Sequence, residues 1–201
     1  MGNSKTAFST LGASNHSARE RAEQDLYTTD KNDVSRFLQA LRRDDFIIPE
    51  PIYEPCAGLG DISKVLIDNN YEVFSADLID RTNWDNYNKE IELHIGDFFE
   101  EKLTGFKTIF TNPPYVLAKQ FVKRGLQISE RYVIMLLRIQ FLESQGRQEL
   151  FKNKYLKYVY VASKRANCYR NGDTSIKAGA VCYAWFIFDC SYNGEPIIRW
   201  F

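Results

Sequence analysis

Cysteine and histidine are scarce in this chain: four cysteines (Cys56, Cys168, Cys182 and Cys190) and two histidines (His16 and His94) among 201 residues. The cysteines form no C-x-x-C pair, so a zinc site has no ligand spacing to rest on. The N-terminus lacks the charged-then-apolar pattern of an export leader, so a disulfide framework is not expected. Reduced thiols and a cytoplasmic location are the expectation, with Cys56 open to modification if it is exposed. No run of about 18 apolar residues occurs, so no membrane span is expected. A Met1-Gly2 start resembles an acylation signal, but no second feature suggests an anchor. Excess charge is missing too: 26 basic and 26 acidic residues cancel, an unusual balance for a nucleic-acid binder. The distribution is lopsided, however. Residues 44–101 hold fifteen acids against three basic residues, and residues 138–177 hold nine basic residues against three acids. The first stretch would suit a cationic ligand and the second a phosphate backbone, although solvated faces carry the same patterns.

Repeats and low-complexity tracts are absent as well. The chain is long enough for one domain that buries about 70% of its unfolded surface. Residues 1–30 read as an arm, with helical potential over 17–24, and residues 31–201 as the domain. Asp33 is expected to cap a helix over 34–42, where Val34, Phe37, Leu38 and Leu41 fall at helical spacing. Strands then alternate with helices: strand 51–55, helix 61–69, strands 71–76, 91–95 and 107–111, helix 116–128, strand 131–137, helix 140–152, and strands 156–162 and 180–189. The run Tyr132-Val133-Ile134-Met135-Leu136-Leu137 is apolar on both faces, as a central parallel strand should be. His94 reads as a packed strand residue rather than a catalyst. The polar connection 163–179 is too short for a crossover helix, so the last two strands should be antiparallel. An α/β, Rossmann-like, mostly parallel seven-stranded sheet with helices on both faces and an antiparallel last strand is expected.

Asn112-Pro113-Pro114-Tyr115 follows the strand 107–111. Proline fixes φ near −65° and biases the residue before it toward extended geometry, so this is a rigid corner. The Asn112 amide and the Pro113 carbonyl offer two acceptors, and Tyr115 a ring, which suits a planar group bearing NH₂. Taken alone, the four residues could equally be a turn. Upstream, Glu54-Pro55-Cys56-Ala57-Gly58-Leu59-Gly60 stands between a strand and a helix, where glycines let backbone approach a nucleotide-type ligand. The next strand ends in Asp77, 17 residues after Gly60, close to the spacing at which an acid takes ribose hydroxyls. The third ends at Asp97-Phe98.

These two blocks together resemble the class I S-adenosylmethionine-dependent methyltransferases, and specifically the branch that methylates adenine N6 in DNA. The resemblance runs from about Asp25 to the C-terminus. Small phage and prophage enzymes of that kind are similar through Ser14-Asn15-His16-Ser17-Ala18-Arg19-Glu20-Arg21 and Tyr183-Ala184-Trp185-Phe186. A location in a bacterial or phage-infected cell would follow. The resemblance implies S-adenosylmethionine as cofactor, no metal, and DNA as partner. It assigns Asn112, Pro113, Pro114 and Tyr115 to catalysis, with Tyr115 stacked on a flipped base. Glu54, Pro55, Ala57, Gly58 and Gly60 would hold the methionine part of the cofactor. Asp77 would take the ribose, Leu78 would pack on the adenine, and Asp97 and Phe98 would recognise that ring. Tyr27 and Thr29 fall where the family's N-terminal cofactor segment lies, although Asp30 stands where that segment usually has proline. Lys164, Arg165 and Arg170, in a loop with Tyr169, are candidates for DNA contact, or else part of an ordinary connection. A separate target-recognition domain is not expected. The same corner would also serve a protein glutamine or an RNA base, and a catalytically silent binding module is the rival from another class.

Overall fold

The computed structural model describes residues 27–81, 87, 92–164, 166, 168–170 and 181–201. Eight strands form one sheet: β2 (Ile52–Glu54), β3 (Val73–Asp77), β4 (Leu93–Ile95), β5 (Thr108–Thr111), β6 (Tyr132–Arg138), β7 (Leu156–Val161), β9 (Tyr183–Asp189) and β10 (Ile197–Trp200). Their order across the sheet is β10-β7-β9-β6-β5-β2-β3-β4. All run parallel except β9, which lies antiparallel between β6 and β7. The expected antiparallel strand is thus present. It is followed by an eighth strand, β10, parallel to β7 at the sheet edge. Among the described residues four α-helices accompany the strands: α1 (Lys31–Arg43), α2 (Asp61–Asp68), α3 (Ala118–Ile128) and α4 (Gln148–Lys152).

Alternation along the strands sends side chains into two cores. Ile134 and Leu136 of β6 join Ile52, Phe110 and Trp185 in a core with the apolar stripe of α1 and with Ile62 and Leu66 of α2. Val133, Met135 and Leu137 point the other way, toward Phe121 and Val122 of α3. Phe37 of α1 is fully buried and stacks on Trp185, with ring centroids 4.7 Å apart and planes 7° from parallel. Gly125 lets α3 lie close to the sheet, since a Cβ there would sit 3.0 Å from Val133.

Three expectations need correction. The cap of α1 is Asp30, whose side chain accepts from Asn32 N at 2.9 Å, so the helix begins before Asp33. Asp33 instead lies buried in the first turn and pairs with Arg36. Residues 140–152 are not one helix but two 3₁₀ turns, Ile139–Leu142 and Gln145–Arg147, followed by the short α4. Ser144 breaks the run by accepting from Gly146 N at 3.1 Å, and Arg147 binds the carbonyls of Phe141 and Gln140 at 2.7 and 2.9 Å. The connection 163–179 is not only a loop: β8 (Cys168–Arg170) pairs antiparallel with β1 (Tyr27–Thr29) in a separate two-stranded sheet. The expected helix over 17–24 lies outside the described residues. Among the described residues no helix is long and apolar enough to cross a membrane.

Candidate active site

The chain lays β3 and β4 on one side of β2, then returns to put β5 and β6 on the other. The strand order therefore reverses at β2 and β5. In an open α/β sheet, ligands bind beyond the carboxyl ends of the strands at such a reversal. Glu54 ends β2, Asp77 ends β3, Asp97 follows β4 and Asn112 follows β5. All four line one cleft of about 190 Å³ that is partly open to solvent.

The glycine turn builds the floor. Gly58 and Gly60 take φ of 54° and 75°, left-handed values that side chains resist, and Gly60 caps α2. Gly58 N donates to Asp77 Oδ2 at 2.9 Å, so the turn is tied to the neighbouring strand end. Asp77 Oδ1 accepts from Arg81 Nη1 at 3.0 Å and from Ile79 N at 3.2 Å. Glu54 is buried and accepts from Ser63 Oγ, which also lies 2.6 Å from Ser75 Oγ. Burial pushes the Glu54 carboxyl up to about 8, with the Ser63 hydrogen bond opposing that shift. Asp61 is also raised by burial, against the pull of Lys31, whose Nζ lies 3.8 Å away. Leu78 lies in the cleft wall 62% exposed.

At the other end of the cleft, Asn112 is buried and donates from Nδ2 to Thr29 Oγ1 at 3.1 Å. The Cys168 sulfur lies 4.0 Å from the same nitrogen. Asn112 is thus held by both strands of the β1–β8 pair, one from the N-terminal segment and one from the connection between β7 and β9. With its nitrogen engaged by Thr29, the amide oxygen is the atom suited to accept from a ligand. Pro113 and Pro114 line the cleft beside it. Tyr115 begins a 3₁₀ turn that leads into α3. Its ring lies 5.7 Å from that of Tyr183, and the Arg138 guanidinium sits 4.6 Å from its centroid. Burial raises the Tyr115 hydroxyl, and pushes Tyr183 and Cys168 each up to about 12.

Of the residues singled out in the sequence, Thr29, Glu54, Pro55, Ala57, Gly58, Asp77, Leu78, Asp97, Phe98, Asn112, Pro113 and Pro114 line this cleft. Gly60 shapes it as a helix cap, and Tyr115 stands outside its wall, packed into the core with Tyr183. Tyr27 contributes backbone to β1, opposite Arg170 of β8. Lys164 is exposed just after β7, and its carbonyl accepts from Arg36 Nη2 at 3.4 Å. Arg165 lies outside the described residues. Cys56 is half-buried in the cleft wall, with its thiol raised by burial. Thr28 and Leu59, inside the two segments expected to hold the cofactor, line the cleft as well; Asp61, Ile62, Arg81, Gly96, Phe99, Leu117 and Phe121, which had no assigned role, complete it. Arg81 could have been found as a cation four residues beyond Asp77. Phe121 carried no local signal and enters by stacking on Phe98 at 4.8 Å. His94 pairs with Glu101 at 2.9 Å. Among the described residues no group of three or more His, Cys, Asp or Glu side chains is placed to hold a metal.

No family model matches the sequence, and no curated protein matches it. Solved structures do match the fold. An archaeal structure from Pyrococcus horikoshii, described as a candidate RNA methyltransferase, is 14% identical with a TM-score of 0.59, over 81% of this chain and 86% of that one. Magnesium protoporphyrin IX methyltransferase from Synechocystis PCC 6803, solved with bound S-adenosylmethionine, is 11% identical with a TM-score of 0.56, over 80% and 79%. The methyltransferase subunit of a type I restriction-modification system from Streptococcus thermophilus is 12% identical with a TM-score of 0.59. That match covers 89% of this chain and 48% of the subunit, so the chain spans about half its length. The chain has the Rossmann-like fold that these methyltransferases share.

Proposed function

We propose that this protein transfers a methyl group from S-adenosylmethionine to the N6 amino group of adenine in DNA. The observation that carries this reading is the Asn112 corner in the same cleft as Glu54, Asp77 and Asp97. The cleft fits the cofactor in kind. A buried carboxyl at Glu54 suits an ammonium group, and Leu78 and Phe98 give apolar surface for a planar ring. Asp77 already accepts three hydrogen bonds, and a carboxylate has about four acceptor sites, so a ribose hydroxyl takes the fourth or displaces Arg81. When bound, the cofactor supplies an electrophilic methyl group on a sulfonium.

The protein's share of the chemistry is to prepare a poor nucleophile. The lone pair of an exocyclic adenine nitrogen is delocalised into its ring. Hydrogen bonds from its two N–H groups to Asn112 Oδ1 and the Pro113 carbonyl draw it toward tetrahedral geometry and localise that pair. No strong base is needed, because the nitrogen becomes acidic only after attack. Thr29 fixes the Asn112 amide, and alignment of this sort supplies several kcal/mol. The reaction is tested by incubating the protein with cofactor labelled in the methyl group and, separately, with DNA, RNA and a glutamine-bearing protein. Label on adenine N6 of DNA supports the reading. Label only on RNA or on glutamine reassigns the substrate, and label on none of them leaves a silent binding module.

A further inference from the structure

Arg138 stands at the carboxyl end of β6, the strand beside β5, on the side of Asn112 away from Glu54 and Asp77. Thr111 of β5 pairs with Met135 of β6, so Asn112 and Arg138 both lie just beyond the paired stretch at the same end of the sheet. The guanidinium lies 4.6 Å from the Tyr115 ring centroid. Tyr183 pairs with Arg138 across β6 and β9, and its hydroxyl accepts a hydrogen bond from the Arg138 side chain. The side chain is half-buried, and its Nε is buried with no hydrogen-bond partner. Among the described residues no carboxylate lies within ion-pair distance of it. Arg199 of β10, the other arginine in the eight-stranded sheet, meets Asp44 at 3.1 Å. A partly desolvated arginine without a counter-charge is costly to keep, and its five donors in a rigid fork match carboxylate and phosphate oxygens. The cleft lies on the opposite flank of Asn112 and does not include Arg138.

We propose that Arg138 binds a phosphate of the nucleic-acid strand that carries the target base, and so positions that base at the Asn112 corner. This rests on the methyltransferase reading and deepens it by naming a residue that holds the nucleic-acid substrate. Every nucleotide brings a phosphate with its base, whereas a glutamine side chain brings no obligatory anion. The charge therefore favours nucleic acid over protein. Tyr115 braces the cation by its ring face and Tyr183 by its hydroxyl, which leaves the remaining Nη donors for anion oxygens.

The test compares wild-type protein with Arg138→Met, which keeps an apolar stem over Tyr115 but removes the charge, and with Arg138→Lys. Two affinities are measured: for S-adenosylmethionine, and for a short adenine-containing single-stranded DNA oligonucleotide across a range of salt. In Arg138→Met, oligonucleotide affinity is expected to fall about tenfold or more and the salt slope to flatten by about one, with cofactor affinity within twofold of wild type. Arg138→Lys should restore most of the salt slope, which a purely packing role would not require. Wild-type affinity and slope in Arg138→Met would overturn the inference while leaving the methyltransferase reading intact. A loss of cofactor and oligonucleotide binding together would also overturn it, by showing a structural role. A wild-type protein that binds cofactor but not the oligonucleotide would overturn both the inference and the choice of DNA as substrate.

Discussion

At the residue scale, Asn112 and Glu54 separate two functions that share one cleft. Asn112 is held by Thr29 and faces the proposed amine, so Asn112→Ala should cut turnover a hundredfold or more, about 2.7 kcal/mol or more of transition-state stabilisation. Cofactor affinity, read by calorimetry, should stay within a few-fold, and a variant with near wild-type turnover would remove Asn112 from the chemistry. Glu54 behaves differently because burial holds its carboxyl raised to about 8. A raised carboxyl favours the folded state fully below its unfolded value near 4.5, and that contribution is lost as pH rises through about 8. A cationic group arriving at Glu54 would restore the ionised form. Cofactor binding between those pH values should therefore release up to about one proton, and Glu54→Gln should abolish the release. Calorimetry in buffers of different ionisation enthalpy reads this directly; heats independent of the buffer would mean that Glu54 does not meet the ammonium group.

At the scale of elements, α1 is held by its cap and by its core face, and the two are unequal. Removing the Asp30 cap should cost about 1 kcal/mol, whereas Phe37→Ala, which empties the stack on Trp185, should cost about 3–5 kcal/mol. Denaturant unfolding of the two variants checks the ranking, and equal losses would contradict it. Much of this layer was legible in the sequence. The apolar run of β6 and the helical stripe of α1 are strong local patterns, and the glycine turn stands between a strand and a helix. What local pattern could not carry was pairing decided at long range. β8 is three residues in a polar connection, made a strand by the distant segment Tyr27–Thr29. β10, an edge strand after Gly194-Glu195-Pro196, is fixed by its parallel partner β7. Asp30 and Asp33 are both chemically fit to cap α1, and only the helix's actual start distinguishes them. In the site, acids at strand ends were readable from spacing. Arg81, four residues beyond Asp77, was within reach of the same reasoning. Phe121 and Arg138 were not, because each is brought to its place by packing rather than by a motif.

At the scale of the molecule, the sheet divides the proposed labour. The β2–β3–β4 half carries the acidic strand ends and falls within the stretch rich in acids, which suits a sulfonium-bearing cofactor. The β5–β6–β9 half carries the Asn112 corner, Tyr115 and Arg138, and the nearby β1–β8 pair braces Asn112 from outside the main sheet. The proposed reaction is methylation of adenine in DNA where these halves meet. It is tested most directly by digesting DNA from cells that express the wild-type chain, or Asn112→Ala, and measuring N6-methyladenine by mass spectrometry of the nucleosides. N6-methyladenine is expected above the level of the host alone with the wild-type chain, and at the host level with Asn112→Ala. Host-level N6-methyladenine with a folded wild-type chain that binds S-adenosylmethionine would contradict it.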